Sequence, residues 1–250
     1  MFYITAFIFG SIWGSFANVC IHRLPQGKSV TKGRSNCPSC NQVIKWFDNI
    51  PLISFILLKG KCRNCSVQIN PQYFLVELIA ALGFVISYYF FGISVTTLLF
   101  FILVIFFIII FFIDLKHFII PNELSISLMI IGFLKSFDPN INKIIFPNFI
   151  NSLIGGLVGY FIIWLIIYVY KKLRNKEGMG LGDAKLLSAI GFWFGWISLP
   201  FVLFFSSAIA LISFLPDLIK NKKSLSSQIP FGPFIILGTI LFLFSKTLLL

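Results

Sequence analysis

Residues 95–121 read VTTLLFFILVIFFIIIFFIDLKHFIIP, an apolar run that carries no charge until Asp114. Phe, Ile, Leu, Val and Thr alone fill its first part, and the run is long enough to cross a bilayer, which takes about 17 to 25 apolar residues. An ionisable group at membrane depth is costly, so an aspartate closing such a run carries a functional reading by default. The chain has only eight carboxylates. A second one, Asp183, ends the glycine-rich stretch Gly178-Met-Gly-Leu-Gly-Asp and opens another apolar segment.

The whole chain follows the character of that run. Of its 250 residues 58% are hydrophobic and only 11% charged, more apolar surface than one water-soluble globule can hide. The sequence therefore predicts an all-α polytopic membrane protein of about eight transmembrane helices. Spans fall near 2–19, 72–91, 95–113, 149–170 and 231–249, with shorter ones at 123–137, 184–197 and 199–215. The first segment opens Met-Phe-Tyr without a basic n-region and reads as a retained helix.

The net charge of +12 reports topology. Arg23, Lys28, Lys32, Arg34, Lys45, Lys59, Lys61 and Arg63 crowd the first loop, Lys171 to Lys176 a second cluster and Lys220 to Lys223 a third. With eight spans these fall on one side together with Lys116 and Lys185, and the positive-inside rule makes that side the cytoplasm. Both chain ends then face outward. This bias needs only the lipid bilayer as its cause, so no nucleic acid partner is expected.

The first loop carries Cys37-Pro-Ser-Cys40 and Cys62-Arg-Asn-Cys65. Two C-x2-C turns suit tetrahedral zinc held by four thiolates, a closed and therefore structural site. Disulfides are the alternative, disfavoured in a loop assigned to the reducing cytoplasm. A metal would supply folding free energy to a loop with little core of its own. Cys20, left over at the end of the first helix, reads as a small buried apolar residue. Asp48-Asn-Ile-Pro-Leu-Ile-Ser-Phe-Ile-Leu-Leu is apolar but too short to span, so it packs on the helices or lies at the interface. The expected organisation is a first helix over 1–19, a cytoplasmic four-cysteine zinc loop over 20–71, and a multi-helix transmembrane domain over 72–250.

Asp114 sits at the cytoplasmic end of its helix, and Pro121 stops that helix from running on. Gly178, Gly180 and Gly182 before Asp183 permit close backbone approach and positive φ. Both carboxylates lie near one leaflet boundary, the condition for their meeting. Two carboxylates within a few ångströms share one proton and so provide a general base and a general acid together. The base draws a proton from water, the water attacks a peptide carbonyl, and the acid protonates the departing amine. Capping of a helix by Asp183, or a salt bridge from Asp114 to Lys116 or Lys185, would account for the same residues without catalysis.

Gly-Ser-Phe-Ala-Asn-Val-Cys-Ile-His-Arg-Leu-Pro (14–25), the paired cysteine motifs, Asp48-Asn-Ile-Pro-Leu-Ile-Ser-Phe, Asp114 to Pro121, Gly178 to Leu186 with Lys185, and Ile229-Pro-Phe-Gly-Pro-Phe together resemble the bacterial type IV prepilin peptidases. The resemblance runs from about residue 10 to residue 235. It implies a bifunctional inner-membrane enzyme of the Gly-x-Gly-Asp aspartyl protease kind. Such an enzyme removes the basic leader of type IV prepilins or type II secretion pseudopilins and then N-methylates the new first residue. By motif the two catalytic aspartates fall on Asp114 and Asp183, and the implied methyl donor is S-adenosylmethionine. Many relatives carry an acid two positions after the first aspartate and a Pro-Asp pair downstream; here those places hold Lys116 and Pro121-Asn122. Glu77, near the start of the second long helix, is the further acid to test for binding substrate or methyl donor. A non-catalytic zinc-stapled scaffold and an ion-coupled transporter are the competing classes, and the oligomeric state is not encoded in any motif.

Overall fold

The computed structural model describes residues 1–138, 141, 145–175, 179–219 and 229–247, and Gly178 of the expected motif lies outside them. The described residues form α1 (Phe2–Arg23), α2 (Ile53–Leu57), α3 (Gln72–Phe91), α4 (Val95–His117), α5 (Asn122–Leu134), α6 (Phe149–Arg174), α7 (Leu181–Phe194), α8 (Ser198–Ile219) and α9 (Gly232–Thr247). Each of the eight expected apolar segments contains a helix among the described residues, and α2 is an additional short helix inside the cysteine loop. Five helices, α1, α3, α4, α6 and α8, are long and apolar enough to cross a membrane. α5, α7 and α9 have 13, 14 and 16 residues. At about 1.5 Å per residue the described residues of these three span less than a hydrocarbon core about 30 Å thick.

Helix ends follow local chemistry. α3 stops at Gly92, which adopts φ 57°. α4 ends before Phe118, itself at φ 56°, and Pro121 then begins α5 as its N-cap. α6 opens on Asn148, whose side chain accepts the Asn151 N–H at 3.0 Å, and closes on Asn175 in the left-handed region.

The chain divides into two compact units, Met1–Ile109 and Ile110–Leu250. In the first, α1 crosses α3 where glycines meet alanines: a Cβ on Gly10 would lie 2.7 Å from Ala81 Cα, and one on Gly14 2.7 Å from Glu77 Cα. Small residues at such a crossing let backbones approach and gain dispersion contacts, the main attraction between helices in lipid. Phe84 stacks on Phe101 at 3.9 Å to bind α3 to α4. In the second unit α6 and α7 touch backbone to backbone at Gly155, Gly159 and Gly191. Ser188 Oγ donates to the Gly156 carbonyl and Ser152 Oγ to that of Phe192, each at 2.7 Å. Trp193, fully buried, donates its indole N–H to the Leu128 carbonyl on α5 at 2.8 Å. α7 is the most enclosed helix of this unit, buried from Asp183 to Phe194 with few breaks. Outward side chains such as Leu165, Leu211 and Ile212 are apolar, as a lipid-facing surface requires.

Candidate functional site

Asp114 lies in the last turn of α4 and is 4% exposed; Asp183 lies in the first turn of α7 and is 8% exposed. Their charges are close enough to act on one another. Asp114 Oδ2 accepts the backbone N–H of Gly232, the first residue of α9, at 2.9 Å. Ile120 joins the two halves of the site: its side chain would meet a Cβ on Gly182 at 3.0 Å and one on Gly232 at 3.1 Å.

The competing explanations for the aspartates find different partners. Lys185 Nζ donates to Asn122 Oδ1 at 2.6 Å, and Lys116 points into the exposed surface. Gly180, not Asp183, is the N-cap of α7. Asp183 is the third helical residue, and its carboxylate reaches back to the Gly180 amide, as the acid of a capping box does. Capping and proximity to Asp114 therefore coexist in one side chain.

The glycine motif works differently from the expectation. Gly180 has φ −84°, and neither it nor Gly182 adopts positive φ. Gly182 is required by packing on Ile120. Among the described residues, a Cβ on Gly180 would meet only Gly182 N at 3.8 Å and Asp183 Oδ2 at 3.9 Å, ordinary contacts that a methyl group can make.

The cysteine loop contains the same turn twice. Cys37-Pro-Ser-Cys40-Asn-Gln-Val-Ile44 and Cys62-Arg-Asn-Cys65-Ser-Val-Gln-Ile69 share backbone bonds at matching places. Cys37 N–H donates to Gln42 and Asn41 N–H to Cys37; Cys62 N–H donates to Val67 and Ser66 N–H to Cys62. Asn41 and Ser66 take φ 55° and 56°. The four sulfurs lie within 4.8 Å of one another, and Cys37 and Cys65 are separated by 3.8 Å. A tetrahedron with metal–sulfur bonds of about 2.3 Å has edges of about 3.8 Å, so the donor set fits zinc. The backbone N–H groups of Cys40 and Ser39 hold the Cys37 thiol down at about 6, which favours the ligating thiolate. Arg63, inside the second turn, forks onto both oxygens of Asp48 at 2.6 to 3.0 Å. That bond holds the Asp48 carboxyl below its ordinary range.

Glu77 is buried in the second turn of α3, where Oε2 accepts the N–H of Leu52 at 2.8 Å. Leu52 has φ 62° and precedes α2, and Phe55 of α2 packs on Phe74 of α3. This acid thus takes a backbone amide of the 48–58 segment, which it ties to the start of α3, beside the Ser15 hydroxyl of α1.

Residues 8–91 match the family described as the bacterial peptidase A24 N-terminal domain, and residues 101–215 match the type IV leader peptidase family. An Aeromonas salmonicida protein named prepilin leader peptidase/N-methyltransferase is 33% identical, over 94% of this chain and 88% of its own. The chain belongs to the type IV leader peptidase family. It is therefore an enzyme of the A24 peptidase group. A Klebsiella pneumoniae relative of the same name is 37% identical over 82% of this chain and 90% of its own. A Myxococcus xanthus one is 34% identical over 83% and 60%. No solved structure matches the chain. The buried pair Asp114 and Asp183 lies in the stretch matched by the leader peptidase family, and the four cysteines lie in the stretch matched by the N-terminal domain. Ile120 and Leu52 carry no chemical signal by residue type, and the pairing of Asp48 with Arg63 and of Gly232 with Asp114 emerges only from the three-dimensional neighbourhood.

Proposed function

We propose that this enzyme cleaves the basic leader of type IV prepilins or type II secretion pseudopilins at the cytoplasmic face of the inner membrane, using Asp114 and Asp183 as its acid–base pair. The reading rests on one observation above others: two buried carboxylates within electrostatic reach of each other at the ends of α4 and α7. One aspartate takes a proton from water while the oxygen forms a bond to the scissile carbonyl carbon. The other gives its proton to the departing nitrogen as the carbon–nitrogen bond breaks. No covalent intermediate forms. Burial keeps the pair out of bulk water, where each interaction between charge and dipole is weaker. Gly180 leaves room for the substrate backbone, Gly182 seats α7 on Ile120, and Pro121 with Lys185 and Asn122 fixes the turn that carries Ile120. Gly178 completes the motif in the sequence.

Cys37, Cys40, Cys62 and Cys65 would hold zinc with no open position, so the metal staples the loop and takes no part in hydrolysis. The relatives' name adds N-methyltransferase activity, and S-adenosylmethionine is the methyl donor we propose. When bound, it would supply a methyl group to the new terminal amine. Glu77 is the residue to test for contact with that amine or the donor. Because it already holds Leu52, such a role would act through the segment 48–58.

The test is mass spectrometry of a prepilin amino terminus after incubation with the purified full chain and S-adenosylmethionine, alongside Asp114→Asn and Asp183→Asn. Cleavage by the wild type only, followed by the mass of one added methyl, is expected. Turnover by either folded variant at the wild-type rate would remove the dyad and favour a non-catalytic role for the pair.

A further inference from the structure

Asp114 is held in an unusual way for a side chain at the end of an apolar helix: its partner is the backbone amide that starts α9. Among the first three residues of α9, Pro233 has no N–H and the N–H of Phe234 is used on Phe231 at 3.0 Å. Of these three only Gly232 presents its donor outward, and it bonds Asp114 Oδ2 at 2.9 Å. The positive end of a 16-residue helix faces the carboxylate along the same line.

The identity of residue 232 matters as much as its amide. Its φ lies outside the left-handed region, so any residue could take this backbone conformation. A Cβ there would lie 2.7 Å from Asp114 Oδ2, 3.1 Å from Ile120 Cδ1 and 3.3 Å from Asp114 Cγ. All three atoms belong to side chains. A methyl at 232 is accommodated by turning the carboxylate away, with the backbone left in place.

We infer that Gly232 is a positioning residue of the peptidase centre: its amide and its missing side chain together set the plane of the Asp114 carboxylate, leaving Oδ1 for the shared proton or the attacking water. The inference rests on the dyad reading given above. It assigns a role in the reaction to the Ile229-Pro-Phe-Gly-Pro-Phe motif, which contributes no ionisable group.

The experiment compares Gly232→Ala with Gly238→Ala in the full chain, measuring kcat and KM for prepilin cleavage together with thermal unfolding. Gly238 lies on the same helix, and its added methyl would meet Ser206 Oγ at 2.6 Å and the Val202 carbonyl at 2.7 Å, away from the aspartates. Gly232→Ala should unfold near the wild-type temperature, keep KM and lose on the order of 100-fold in kcat, the size of a misplacement of about 1 Å. Gly238→Ala should lower the unfolding temperature and leave kcat unchanged. Wild-type kcat in Gly232→Ala, equal kcat losses in both variants, or failure of Gly232→Ala to fold would overturn the inference. Asp114→Asn and Asp183→Asn run beside them: if these retain cleavage the dyad itself fails, and if they are inactive while Gly232→Ala is normal only the positioning role fails.

Discussion

Gly191→Ala is the substitution whose cost the structure defines best. The new methyl would enter the backbone of α6, against the carbonyl oxygen and carbon of Gly155 and the nitrogen of Gly156. None of these can rotate aside, so α6 and α7 must separate at this level. Overpacking of this kind costs about 1–3 kcal/mol. Separation also stretches the bonds from Ser188 to Gly156 and from Ser152 to Phe192, each worth ~0.6 kcal/mol between helices in a membrane. The sum is about 2–4 kcal/mol. It would be read from SDS-driven unfolding in mixed micelles, followed by tryptophan fluorescence, since Trp193 lies two residues away and is fully buried. An unfolding midpoint equal to the wild type would refute backbone contact between α6 and α7.

Gly180→Ala should behave in the opposite way, because among the described residues its methyl would meet only Gly182 N at 3.8 Å and Asp183 Oδ2 at 3.9 Å. Stability should stay within about 1 kcal/mol of wild type, the cost of alanine at an N-cap, while KM for a prepilin rises; an unchanged KM would show that the substrate does not approach Gly180. Cys62→Ser should abolish bound zinc measured by elemental analysis and render the 24–71 loop sensitive to protease. Because the Cys37 thiol titrates at about 6, below the ordinary thiol value, thiolate ligation is favoured above that pH and protons compete with the metal as pH falls through it. A chromogenic chelator should therefore capture zinc faster below that point, and a release rate independent of pH would count against thiolate ligation. Glu77→Ala leaves the buried Leu52 N–H without its acceptor, a loss of about 1–3 kcal/mol. It should appear as faster proteolysis between residues 45 and 60, and wild-type protection would show that Glu77 does not anchor this segment.

Long apolar runs made the helices readable, since nothing else satisfies a backbone in lipid. The end of α4 was readable too, from Pro121 after the apolar run. The length of α5, α7 and α9 limits what pattern alone can say, because an apolar run may be apolar for burial among other helices instead of for lipid, and the enclosure of α7 is that case. The two aspartates and four cysteines announced themselves by chemistry and spacing. The glycines did not sort themselves in the same way. Gly182 and Gly232 are small because Ile120 and Asp114 need their space, and Gly155 and Gly191 because two backbones meet. These reasons live in tertiary neighbours far away in the chain. Glu77 was visible as an acid, but the partner it anchors is an amide, which every residue except proline possesses and no sequence pattern marks.

The paired turns of the cysteine loop also set an order of assembly. The turn at Cys37–Ile44 closes through its own backbone bonds, so it can form on the emerging chain while only half of the metal's ligands exist. The second turn supplies the other two sulfurs only after the intervening segment has been made. That segment cannot settle until still later, when the helix bearing Glu77 offers the carboxylate that Leu52 awaits. The loop is thus completed from behind: the second cysteine pair and the Glu77 carboxylate that anchors Leu52 both lie in residues synthesised after the parts they hold.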